Sequence, residues 1–114
     1  MFGNADMRQN RRYPSIATAR IPAVSGSEAF LKDISITGCC IEYTMLVDLP
    51  EHSEQTITIY PEKESMIDKF HLLVESKWHH FDNSSNRFGL EIKKSPQKKE
   101  FISYVDYLAW RHNT

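Results

Sequence analysis

Successive stretches of this chain alternate apolar and polar residues with a period of two, and only the last segment changes period. The clearest is Gln55–Pro61 (QTITIYP), where Ile57 and Ile59 face one way and Thr56, Thr58 and Tyr60 the other. Arg87–Lys93 repeats the pattern with Phe88, Leu90 and Ile92 inward. Phe70–His80 sets Phe70, Leu72 and Val74 on one face, with Trp78 in the same parity. Upstream, Ile16–Val24 suits a strand that Pro22 limits to an edge or an end. Glu28–Ile34 and Cys39–Tyr43 follow as two more. Turn-forming runs separate them at Ser25–Ser27, Leu49–Ser53, residues 62–69 and Asp82–Asn86. Strands this short, at this spacing, bury an apolar face by closing into a small barrel or stacking as a sandwich.

The final segment reads as a helix. Ser95 is placed to cap it and Pro96 suits its first turn. Phe101, Val105 and Leu108, flanked by Ile102 and Ala109, form an apolar stripe at helical spacing. Arg111 and His112 fall in the last turn, where positive charge complements the helix dipole. Tyr104, Tyr107 and Trp110 either pack on the strands or mark a partner surface. The expected fold is therefore mainly β, a six-stranded antiparallel β-barrel with a C-terminal α-helix. Residues 1–10 are polar and unpatterned and read as a flexible tail, and residues 11–114 as a single domain.

A net charge of −1 argues against a general nucleic-acid binder. A barrel for single-stranded nucleic acid would need a basic groove with exposed aromatics. A small anion held by a local arginine cluster remains compatible, and Arg8, Arg11 and Arg12 form such a cluster. No apolar run reaches membrane-spanning length and the N-terminus lacks a signal-peptide core, so a cytoplasmic location is expected. Cys39 and Cys40 are neighbours on a strand, so one is expected inside and the other at the surface as a reduced thiol. There is no glycine-rich phosphate loop, no zinc-spaced cysteine pair and no His-Glu-x-x-His, and His79 and His80 point to opposite faces. Glu51, Glu54, Glu62 and Glu64 read as a solvated acidic surface. Neither catalytic nor metal-binding residues are expected, which leaves a binding domain.

Asp33-Ile34-Ser35-Ile36-Thr37-Gly38 joins two predicted strands. Period two would put Asp33 and Ser35 on one face, and Gly38 permits a backbone conformation that a side chain opposes. Taken alone, these residues are ordinary hairpin chemistry.

With the arginine cluster, the strand order and the closing helix, the motif resembles the PilZ family of bacterial cyclic di-GMP receptors. That family carries Arg-x-x-x-Arg before its first barrel strand and Asp/Asn-x-Ser-x-x-Gly after its second. Asp33, Ser35 and Gly38 match the second signature, and Trp78 in VESKWHH and Gly89 in RFGLEI also fit. The resemblance spans roughly residues 8–110. The first signature is partly degenerate. Arg8 and Arg12 satisfy it literally, whereas the register running straight into the strand, the one preferred here, starts at Arg11 and finds Ser15 in place of the second arginine. The resemblance implies a non-enzymatic receptor, without cofactor, that binds cyclic di-GMP through Arg8, Arg11, Arg12, Asp33, Ser35, Gly38 and Trp78. It further implies a relay to a protein partner in motility, pilus or exopolysaccharide machinery, with no DNA and no membrane insertion. The other reading is a degenerate PilZ domain acting as a protein-interaction adaptor without nucleotide.

Overall fold

A computed structural model describes residues 11–24 and 27–113. The strands are β1 (Tyr13–Pro14), β2 (Thr18–Arg20), β3 (Ala29–Ile34), β4 (Gly38–Tyr43), β5 (Glu54–Tyr60), β6 (Phe70–Asp82) and β7 (Ser85–Lys94). Among the described residues one α-helix, α1, spans Lys98–His112, and a short 3-10 turn spans Lys63–Ser65. All strand pairings are antiparallel, and the ring β2–β5–β6–β7–β4–β3 closes on itself through the β3–β4 and β2–β3 pairs. This is the expected six-stranded barrel, with β1 as a short additional strand on β3 (Tyr13↔Ile34, Pro14↔Asp33). Closure removes the unpaired edges that an open sheet of this size would expose.

The alternation read from the sequence defines the core. Leu31, Ile41, Ile57, Ile59, Phe70, Leu72, Val74, Phe88 and Leu90 converge inside the ring. From α1, Phe101, Tyr104, Val105 and Leu108 join the same core, with the Phe101 and Tyr104 rings 5.8 and 5.9 Å from that of Phe70. Tyr104 thus packs inward, while Trp110 stays exposed.

Several expectations are corrected by local chemistry. The first predicted strand, Ile16–Val24, is shortened to β2 (Thr18–Arg20), while Tyr13–Pro14 pairs separately with β3 and Ile16 is left exposed. The β6–β7 hairpin is longer than predicted. Asn83 and Ser84 adopt positive φ (46° and 71°) and close it as a two-residue turn whose twist matches the strands. The helix begins at Lys98 rather than beside Ser95. The Ser95 hydroxyl donates to the carbonyl of His71, and Gln97 Oε1 accepts from the His71 amide, so both residues tie the approach to the helix onto β6 instead of capping it. Glu62 is not solvated: its carboxylate accepts from the Tyr104 hydroxyl (2.7 Å) and pairs with Arg111 Nη1 (2.7 Å). The Tyr104 hydroxyl also meets Ser15 Oγ at 2.8 Å, so a polar chain runs from the N-terminal segment through the helix to residue 62.

Both cysteines are buried, Cys40 as well as Cys39, because β4 is covered on both faces at this point. Burial pushes the Cys39 thiol up to about 12, and that of Cys40 is also raised by burial. Thiolate is the reactive species, so at pH 8 neither cysteine should react with a disulfide reagent until the protein unfolds, and both should react in denaturant. Early titration of one thiol in the native state would contradict this packing. Phe70→Ala removes the ring on which the helix sits. It should cost on the order of 3–5 kcal/mol, read as a lower urea midpoint, against a typical total of about 5–15 kcal/mol.

Candidate functional site

Two extra residues in the barrel strands aim the side chains of the site. In β3, Leu31 pairs with Ile41 and Asp33 with Cys40, so Lys32 is unmatched. In β6, Ser76 pairs with Leu90 and Trp78 with Gly89, so Lys77 is unmatched. A bulge shifts the following residue to the opposite face. The first turns Asp33 outward while Ile34 stays in the core. The second turns Trp78 outward, 46% exposed, although its parity matches the buried Phe70, Leu72 and Val74. Period two predicts the reverse for both.

Arg12, immediately before β1, reaches over the β3–β4 hairpin. Its Nη1 donates to Asp33 Oδ1 at 2.9 Å. A Cβ at Gly38 would lie 2.8 Å from Arg12 Nη2 and 3.0 Å from the Leu90 carbonyl. Glycine at position 38 therefore serves close approach by the guanidinium, with no left-handed φ involved, contrary to the conformational role expected of it. Ser35 does not share a face with Asp33. Only 2% exposed, its hydroxyl accepts from the amides of Thr37 (3.2 Å) and Gly38 (3.1 Å) and lies 3.3 Å from the Gly38 carbonyl. Ser35 holds the turn that presents Gly38. Arg11 turns elsewhere, with its guanidinium 5.5 Å from the Tyr13 ring centroid. Arg8 lies outside the described residues, as does the rest of the tail expected at residues 1–10.

On the far side of β4, Gly89 lies under the indole of Trp78. A Cβ there would come within 2.1 Å of that ring, so the missing side chain is what lets the indole lie flat on β7. Arg12, Thr37 and Gly38, with Lys77, Trp78, Gly89 and Glu91, line a cleft of about 350 Å³. That volume is within the usual range for small-molecule sites, about 300–1,000 Å³. A larger hollow of about 490 Å³, beside Tyr60, Pro61, Ile67, Asp68 and Lys69, gathers no comparable set of donors and aromatic surface. The cleft thus offers a planar guanidinium suited to phosphate or a purine edge, an aromatic face for stacking, and an acceptor in Asp33 beside it.

The structure brings Arg12, Asp33, Gly38 and Trp78 together. It sets Ser35 behind them as a support and Arg11 apart. Sequence reasoning missed Lys77, Glu91 and Thr37 as cleft residues. The register of β6 against β7 reveals Lys77 and Glu91, and the sequence carries no signal for that bulge, whereas Thr37 enters from the β3–β4 turn.

A closed β-barrel with an N-terminal arginine over the β3–β4 hairpin and a C-terminal helix is a PilZ-like fold. Among solved structures, the inhibitor of motility of Bacillus subtilis (MotI/DgrA) has the same fold, with a TM-score of 0.74 at 10% identity over 90% of this chain. The match takes in 50% of that protein, so this chain spans about half its length. No family profile matches the sequence. No curated protein matches it either.

The Trp78–Gly89 contact yields a direct check. Gly89→Ala should push the indole off β7 and make it more accessible. In a Trp110→Phe background, acrylamide quenching of the remaining tryptophan should rise while far-ultraviolet circular dichroism is unchanged. Unaltered quenching would mean that the indole does not rest on the glycine.

Proposed function

We propose that this protein is a non-catalytic receptor for cyclic di-GMP that relays ligand binding to a protein partner. The observation that carries this reading is the convergence of Arg12, held by Asp33, and Gly38 on a cleft walled by Trp78. Cyclic di-GMP presents two phosphates and two guanines. A guanidinium can meet phosphate oxygens or guanine O6 and N7 bidentately, and its flat face stacks on a purine. Trp78 offers a second stacking surface, and Asp33 can accept from guanine N–H groups. Because Arg12, rather than Arg11, is the arginine beside Asp33, the geometry favours the Arg8/Arg12 register over the one that starts at Arg11. The N-terminal segment would close over the ligand, and its new position would be the output. Similarity of fold to a motility inhibitor favours the motility apparatus among the possible partners, with the protein acting in the cytoplasm. No helix among the described residues is long and apolar enough to cross a membrane.

A second reading has its own support. Ser15, which replaces the second arginine if the register starts at Arg11, is committed to Tyr104 and to the Ala17 amide (2.9 Å), which suits a domain that has given its N-terminal segment over to holding the helix. On that reading the protein is an adaptor without nucleotide.

Calorimetric titration with cyclic di-GMP separates the two. The receptor reading expects measurable binding, weakened by Arg12→Ala by on the order of 1–3 kcal/mol, roughly one to two decades in Kd. Arg8→Ala should weaken it comparably and Arg11→Ala much less. Folding should barely change, since the half-exposed Arg12–Asp33 pair contributes under about 1 kcal/mol. No heat at high ligand concentration would leave the adaptor reading in its place.

A further inference from the structure

Four charged side chains cross β6 and β7 beside the cleft as a closed square. Lys77 Nζ lies 3.2 Å from Glu75 Oε2 and 3.1 Å from Glu91 Oε1. Lys93 Nζ lies 3.2 Å from Glu75 Oε1 and 3.4 Å from Glu91 Oε1. Hydrogen bonds from Lys77 and then Lys93 hold the Glu91 carboxyl below its ordinary range, and Glu91 and then Glu75 raise the Lys77 ammonium. All four are charged at neutral pH.

Only two corners of the square, Lys77 and Glu91, line the cleft. Each cation of the cleft therefore already faces a carboxylate: Arg12 faces Asp33, and Lys77 faces Glu91. An anion arriving there meets a mouth without net positive charge, and at Glu91 a like charge. The square also permits an exchange. Lys77 is the unmatched residue of the β6 bulge, on a long flexible stem at the rim. If it leaves, Lys93 remains within ion-pair distance of both Glu75 and Glu91, so neither carboxylate loses its last cation.

We propose, resting on the receptor reading above, that Lys77 and Glu91 form a charge latch on the cleft. Lys77 swings from the two glutamates to a ligand phosphate, and Lys93 stays to neutralise them. Glu91 sets the threshold for binding, because it competes with the phosphate for Lys77 and repels it. Glu91 is thus a residue that lowers affinity, and Lys93 one that raises it without lining the site.

The test is a set of titrations with cyclic di-GMP on the full chain, run in parallel with 5′-GMP as a simpler phosphate probe. Glu91→Gln should tighten binding about threefold to tenfold, the range for removing one like charge a few ångströms away at high effective dielectric. Lys77→Met should weaken it about tenfold and flatten its salt dependence. Lys93→Met should weaken it about threefold, and Glu91→Gln in the same chain should restore it. A gain in affinity cannot come from misfolding, so the Glu91 variant remains decisive even if a lysine variant loses stability. If wild type binds cyclic di-GMP but Glu91→Gln is unchanged or weaker, the latch is overturned and the receptor reading stands. If no variant binds cyclic di-GMP, the receptor reading falls and 5′-GMP decides the latch: tighter binding by Glu91→Gln supports it, and equal or no binding overturns it.

Discussion

Three strands of this barrel each carry one residue more than their partners require, at Lys32, Lys77 and Lys93, and the cleft depends on the first two of these mismatches. Without the extra residue at Lys32, strict alternation would turn Asp33 into the core and Ile34 out of it. Without the one at Lys77, Trp78 would compete with Phe88 and Leu90 for interior space. The core is already filled by aliphatic and aromatic side chains, and burying an unpaired carboxylate there would be strongly unfavourable. The bulges resolve the conflict locally. They leave the hydrogen-bonded ring closed and place an acid and an indole on its outer surface.

Close approach of backbone to side chain completes the arrangement. Gly38 and Gly89 each stand where a Cβ would collide with a functional group, the Arg12 guanidinium in one case and the Trp78 ring in the other. Ser35 contributes from behind, through hydrogen bonds that shape the turn before Gly38. The motif Asp33–Gly38 therefore divides its labour. One residue meets the arginine, one builds the turn and one makes room.

The sequence was informative where periodicity acts and silent where it breaks. Alternation in Gln55–Tyr60 and the helical stripe Phe101–Val105–Leu108 correspond to buried faces, and they carried the barrel and its helix. The Asp33–Gly38 motif was visible as residue types but not as geometry, because a bulge leaves no mark in composition. Glu62 shows the same limit. In the charged run 62–69 it looks like any surface acid, and only the folded chain brings Tyr104 and Arg111 to it. Ser95 was the natural helix cap by spacing, yet the His71 carbonyl offered its hydroxyl a better partner.

The link from Ser15 through Tyr104 to Glu62 and Arg111 has a further consequence. Arg12 serves the cleft and Ser15 serves the helix, and only Tyr13 and Pro14 lie between them. Three residue steps of extended chain span roughly 10 Å, so this segment works as a fixed ruler between the cleft and the seat of the helix. Most surface connections tolerate insertions and deletions, but this one has no slack. A single residue gained or lost would put the arginine and the serine out of phase, so the cleft and the seat of the helix are bound to change length together or not at all.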